Sequence, residues 1–122
     1  MKPLDSKKLA REEYWYLVTT GRVSGEPHEI EIWFGMEGQT IYLLSGGKHR
    51  SDWVRNLKAD RRVRVRIGKH TFAGLARFVN SQPEGASARR LLATKYYRWR
   101  EGQPLNSWAR TALPVAIELL LE

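Results

Sequence analysis

The chain has 122 residues and no cysteine, with 21 Lys or Arg against 13 Asp or Glu for a net charge of +8. The length predicts a single domain, residues 1–122, large enough for a core of its own, and the missing cysteine excludes disulfides and thiolate metal sites. The charge favours anionic partners such as nucleic acid, phosphate-bearing cofactors or acidic lipids, without choosing among them.

The first residues, "MKPLDSKKLAREE", are charged throughout and offer no apolar stretch for a signal peptide. No segment is long enough to span a membrane as a helix, so the expected location is the cytoplasm. "YWYLVTT" (14–20) reads as a strand, and "GRVSGEP" (21–27) has the Gly, Ser and Pro of a turn. "HEIEIWF" (28–34) alternates, with Ile30, Ile32 and Phe34 on one face and Glu29, Glu31 and Trp33 on the other. "MEGQ" turns the chain and "TIYLLS" (40–45) returns. A short helix is predicted from about Ser51 to Asp60, capped by Ser51 or Asp52, with Trp53, Val54 and Leu57 as its buried stripe.

"RRVRVRI" (61–67) sets Val63, Val65 and Ile67 against Arg62, Arg64 and Arg66, and "GKHT" makes a hairpin into "FAGLARFV" (72–79). A longer helix is predicted from about Pro83 to Arg100, where Ala88, Leu91, Leu92, Tyr96 and Trp99 recur at helical spacing. "LPVAIELLL" (113–121) opens with a proline suited to the start of a strand. Six short, mostly antiparallel strands with small helices predict a mainly β fold, a closed or split β-barrel.

Residues 43–57, "LLSGGKHRSDWVRNL", combine two glycines, three basic or ionisable residues and a helix start. Cations at a helix N-terminus are disfavoured by roughly 0.3–1 kcal/mol each. Glycine-built nests and helix N-termini both aim N–H groups at anions. Either a phosphate gathers these features, or Lys48, His49 and Arg50 point into water and the glycines serve a turn.

Other catalytic signatures are missing. "GRVSG" is not a nucleophile elbow, and there is no Walker loop or G-x-G-x-x-G. His28, His49 and His70 are widely separated, so no metal site is expected. Any redox chemistry then belongs to a cofactor.

Taken in order, "LVTTGRVSGEPHEIEIWF", "IYLLSGG…DWVRNLKADRRVRVRIG" and "ALPVAIELLLE" resemble the deazaflavin-dependent nitroreductase family. Those proteins are split β-barrel oxidoreductases related to the FMN-binding pyridoxamine 5'-phosphate oxidases, so the resemblance makes the six expected strands a six-stranded split β-barrel. The resemblance covers residues 15 to 79 well and resumes at 108 to 118. It implies hydride transfer from reduced coenzyme F420 to a quinone-like or nitro acceptor, with FMN as the alternative cofactor and a homodimer as the assembly.

By position the resemblance implies cofactor contacts from Arg22, Val23, Ser24, His28, Trp33, Leu44, Ser45, Gly46, Lys48, Arg50, Asp52, Trp53 and Asn56. It implies a substrate pocket walled by Tyr96, Tyr97 and Trp99. The chain departs from the pattern at Val23, where Lys or Arg is usual, and at Arg61-Arg62, which replaces Asn-Pro. Lys48 follows the glycines instead of preceding them, and Glu29 and Glu31 bring negative charge to a cofactor-facing strand.

Plainer roles stand beside these. Trp33 stacks on the cofactor ring or lies in a dimer interface. Trp53 is a core residue of its helix, and Asn56 bonds a phosphate or caps a backbone group. Arg62, Arg64 and Arg66 are a solvated barrel exterior, and at least one of Tyr96, Tyr97 and Trp99 is core packing. A nucleic-acid-binding barrel would need exposed rings between its cations, and "RRVRVRI" has none.

Overall fold

The sheet follows from period-two burial. In β1 (Trp15–Thr20), Trp15, Leu17 and Thr19 are buried and the residues between them are half-buried; in β5 (Arg62–Ile67), Val63, Val65 and Ile67 are buried and all three arginines exposed. The computed structural model describes residues 6–12 and 15–120. The expected strand ends at Tyr14 and Leu121 lie outside the described residues.

The remaining strands are β2 (Pro27–Ile32), β3 (Gly35–Glu37), β4 (Thr40–Ser45), β6 (His70–Phe78) and β7 (Leu113–Leu120). All pairings are antiparallel, in the order β2-β1-β5-β6-β7-β4-β3. Strands β2 and β3 are therefore the two opposite edges of the sheet, yet only Trp33 and Phe34 separate them. Three residue steps reach roughly 11 Å at most. The sheet must curl until its edges almost meet, which makes the split β-barrel.

Seven strands replace the six expected. The predicted strand 28–34 breaks at Trp33, and Gly35–Glu37 pairs with β4 instead of turning, with Gly35 opposite Tyr42 and Glu37 opposite Thr40. The crossing from one edge to the other supplies the break. Among the described residues four α-helices accompany the sheet: α1 (Ser6–Ala10), α2 (Asp52–Ala59), α3 (Gln82–Tyr97) and α4 (Ser107–Thr111). None of the described helices is long and apolar enough to cross a membrane.

Trp15, Leu17, Phe34, Ile41, Leu43, Val65, Val115 and Ile117 fill the barrel, and Val54 and Leu57 of α2 are fully buried beside it. Trp53 is half-buried against the same core, as its helical stripe predicts. A second core lies outside the barrel, where Ala88 and Leu92 of α3 cover Tyr42 and Leu44 of β4 and Ala116 of β7. There α3 approaches β3 so closely that a Cβ on Gly35 would fall 2.7 Å from Leu91. Helix α3 ends at Tyr97, short of the expected Arg100, because Arg98 turns left-handed (φ 55°) and the Trp99 N–H returns to the Ala93 carbonyl.

A polar clamp fixes the other end of α3. Ser81 caps the helix by accepting from the Glu84 N–H. The Glu84 carboxylate accepts from both Arg77 guanidinium nitrogens (2.7 and 2.5 Å) and from the Tyr42 hydroxyl (2.6 Å). Arg77 also donates to Glu118, which accepts from Thr40. The bonds from Arg77 and then Tyr42 hold Glu84 near pKa 2, below its ordinary 4.5. Burial, followed by the bond to Glu84, pushes Tyr42 up to about 12.

A carboxyl whose pKa is lowered on folding stabilises fully above its unfolded value and loses that contribution as the pH falls through its folded one. The stability difference between the wild type and Glu84→Gln should therefore shrink as the pH falls from 4.5 to about 2. Thermal unfolding followed by circular dichroism reads it, and a gap constant over that range would remove Glu84 from the clamp.

Candidate cofactor and acceptor site

The crossing places two aromatic side chains on opposite sides of the barrel wall. Phe34 turns inward and is fully buried against Trp15, at 5.5 Å between ring centroids. Trp33 turns outward and stacks on Tyr96 of α3, at 4.3 Å and 4°. The Tyr96 hydroxyl accepts from the Phe34 N–H (3.0 Å) and donates to the Phe34 carbonyl (3.1 Å), and Lys95 also donates to that carbonyl (3.0 Å). Both backbone polar groups of Phe34, a residue outside the ladder, are thereby satisfied. Tyr96 thus supports Trp33 from behind.

In front of Trp33 opens a cleft of about 550 Å³ lined by Glu31, Ile32, Trp33, Leu44, Tyr97 and Trp108. Trp108 stands edge-on to Trp33 (5.6 Å, 87°), and so does Tyr97 (5.9 Å, 71°). The Asn106 side chain positions Trp108 by capping α4 through the Ala109 N–H (2.9 Å). Arg89 ties α4 to α3 by donating to the carbonyls of Ala109 and Ala112.

The glycine loop adjoins this cleft. Leu44 lines it, Ser45 follows, and a Cβ on Gly46 would lie 3.4 Å from the Trp108 ring. A Cβ on Gly47 would collide with Ser51 Oγ at 2.6 Å. Lys48, His49 and Arg50 form an exposed 3-10 turn of their own ahead of α2. Ser51 occupies the N-cap position of α2, but its hydroxyl pairs with Ser45 (2.7 Å), which donates to the Lys48 carbonyl (2.9 Å). The first turn of α2 therefore has N–H groups that no side chain caps.

The β1–β2 turn leans on the same helix end. Arg22 pairs with Asp52 (3.3 Å), and Asn56 Oδ1 accepts from both its backbone N–H (3.2 Å) and its guanidinium (2.9 Å). Asn56 is buried and donates to Thr19 (3.1 Å), so it ties β1, the turn and α2 together. The Arg22 side chain keeps 32% of its surface exposed beside the uncapped helix start. Val23 points into solvent. Ser24 accepts from the Glu26 N–H and lies 3.5 Å from His28, which places Ser24 and His28 at the hairpin rather than on the cleft.

Sequence-predicted residues thus gather in two adjoining places. Arg22, Gly46, Lys48, Arg50, Asp52 and Asn56 surround the start of α2; Trp33, Leu44 and Tyr97 line the cleft. Trp99 is outside the lining and donates to the Gln103 carbonyl. Trp108 was missed as a site residue. Its signal was an N-capping Asn106 between Pro104 and Pro114, enough for one helical turn. On the barrel exterior, Arg62 pairs with Asp60, and Arg66 pairs with Glu29 and lies over the Tyr16 ring. Among the described residues no three His, Asp or Glu side chains converge as a metal site.

An aromatic-lined cleft thus adjoins a cationic, glycine-built helix start on a split barrel. Solved structures agree on the fold. They include an F420-H2-dependent reductase, FDR-A (22% identity, TM-score 0.66, covering 87% of this chain and 93% of that one). An F420 reductase matches at 16% identity and TM-score 0.65, over 98% of this chain and 97% of its own. A FAD-binding protein of Mesorhizobium loti matches at 15% and 0.69, over 99% and 91%. The F420H2-dependent quinone reductase family matches residues 5–119, and the chain belongs to it. It is an F420-dependent reductase, with coenzyme F420 as its cofactor.

Lys48 reaches its place with a left-handed backbone (φ 55°). A non-glycine residue in that conformation costs roughly 1–2 kcal/mol. A charge-assisted hydrogen bond contributes about 1.5–3 kcal/mol, enough to offset it when an anion is bound. Lys48→Gly should leave the melting temperature unchanged or raise it, while weakening F420 binding several-fold. Loss of stability with affinity intact would mean that Lys48 serves the loop and not the ligand.

Proposed function

We propose that the loop at residues 45–51, the start of α2 and Arg22 hold the phosphate of F420, and that the aromatic cleft receives its ring together with a quinone-like or nitro acceptor. The observation that carries this reading is the closeness of Gly46 to Trp108, where even a Cβ would lie 3.4 Å from the ring, so that the cationic turn adjoins the cleft. Held there by Arg22 and the 45–51 loop, reduced F420 would supply hydride chemistry toward an electron-poor acceptor. The chain itself orients and shields. Trp33, braced by Tyr96, offers one wall, and Trp108 and Tyr97 supply two others.

Ser45 is poorly suited to deliver a proton to the acceptor, because its hydroxyl is buried and donates to Lys48. The Tyr97 hydroxyl has no hydrogen-bond partner among the described residues and belongs to a cleft-lining side chain half exposed to solvent. We assign proton delivery to Tyr97 or to water beside it. The enzyme acts in the cytoplasm as a homodimer, its contact supplied by the outer sheet face where Leu75 and Leu120 stay exposed; a monomeric mass in light scattering would refute that assembly.

Replacing Lys48 and Arg50 together with Ala should weaken F420 binding about tenfold or more and flatten its salt dependence. Fluorescence titration reads both. Anaerobic mixing of the wild type with F420H2 and menadione should return the oxidised cofactor's absorption. Unchanged affinity in the folded double variant would move the phosphate elsewhere. Tight FMN with no F420 binding would overturn the cofactor assignment.

A further inference from the structure

Glu31 is unexplained by the site so far. It projects from the outer face of β2, two residues before Trp33, and is the one charged residue among the six that line the cleft. Its neighbour on that face, Glu29, pairs with Arg66 at 3.5 Å. Glu31 forms no ion pair or hydrogen bond with any described residue. A carboxylate beside three aromatic side chains is the composition that recognises organic cations. Ring faces attract positive charge through their quadrupoles, and the carboxylate adds a full opposite charge.

We infer that this cleft binds planar organic cations, such as N-alkylated heteroaromatic rings, and that Glu31 sets a preference for them over neutral or anionic molecules of the same shape. The inference goes beyond the quinone or nitro acceptor and rests on the preceding reading only for its consequence in turnover. The net charge of +8 opposes cations at long range, but at physiological salt such fields are screened beyond about 8 Å. Groups on the cleft wall then decide.

Reduction suits such a guest. A ring cation that takes up one hydride from the reduced cofactor gains a C–H bond and two electrons and becomes neutral; the remaining ring proton of the cofactor passes to water. The product has lost the charge that held its precursor, so its release is favoured.

Calorimetry on the full chain without cofactor tests the binding claim. The probes are N-methylquinolinium, neutral 1-methylnaphthalene and anionic 1-naphthalenesulfonate. The cation should bind about fivefold or more tighter than the neutral probe, and the anion weakest. Glu31→Gln, an exposed site whose folding circular dichroism checks, should bring cation and neutral probe within about twofold of each other. With F420H2, the ratio of kcat/KM for a cationic over an anionic acceptor should fall in the same variant. Equal binding of cation and neutral probe by the wild type, or a preference that survives Glu31→Gln, would overturn the inference. A chain that shows the preference but binds no F420 would support the inference and refute the cofactor site instead.

Discussion

Two residues, Trp33 and Phe34, join the opposite edges of a seven-stranded sheet, and the rest of the molecule is arranged around that short link. A sheet of this width would otherwise leave two open edges. The link is too short for anything but a curled sheet, and it costs Phe34 its place in the ladder. Helix α3 compensates. Tyr96 satisfies the N–H and the carbonyl of Phe34, and Lys95 bridges the same carbonyl to that of Glu12 while lying over the Phe34 ring. Each such bond contributes about 1 kcal/mol, and leaving one of these buried groups unpaired costs about 1–3.

The link also makes the site. Trp33 faces α3 and the next residue, Phe34, faces the barrel core, so closing the barrel positions the wall of the cleft. Glycines then allow β4 to turn directly beneath Trp108 into the cationic loop. Positive charge at the start of α2 is unfavourable for the helix alone. It becomes favourable when an anion supplies the opposite charge, which gives a physical reason for Lys48 and Arg50 at that position. Asp52, the one acid in the first turn, is drawn to Arg22.

Much of this was legible as pattern. Strict alternation in residues 62–67 fixes which side of β5 is core, and the apolar spacing of 53, 54 and 57 finds α2. The resemblance over 15–79 implied cofactor contacts from both the glycine loop and Trp33, and the fold sets that loop beside the cleft that Trp33 lines. Features decided by distant partners were not legible. Strand β3 is three residues long and exists because β4 is beside it. Tyr96 sits at core-like helical spacing, and nothing local says that its hydroxyl reaches residue 34. The coupling of Arg22 to Asn56 spans 34 positions. Trp108 rides on a five-residue helix too short for any period to reveal.

The most direct test of the account is a crystal structure of the chain with oxidised F420. The account predicts the phosphate against the backbone of residues 46–53, within reach of Lys48 or Arg50, and the tricyclic ring in the cleft lined by Trp33, Tyr97 and Trp108. A ring lying on the outer sheet face near Tyr16 and Arg66, with the cleft empty, would contradict it.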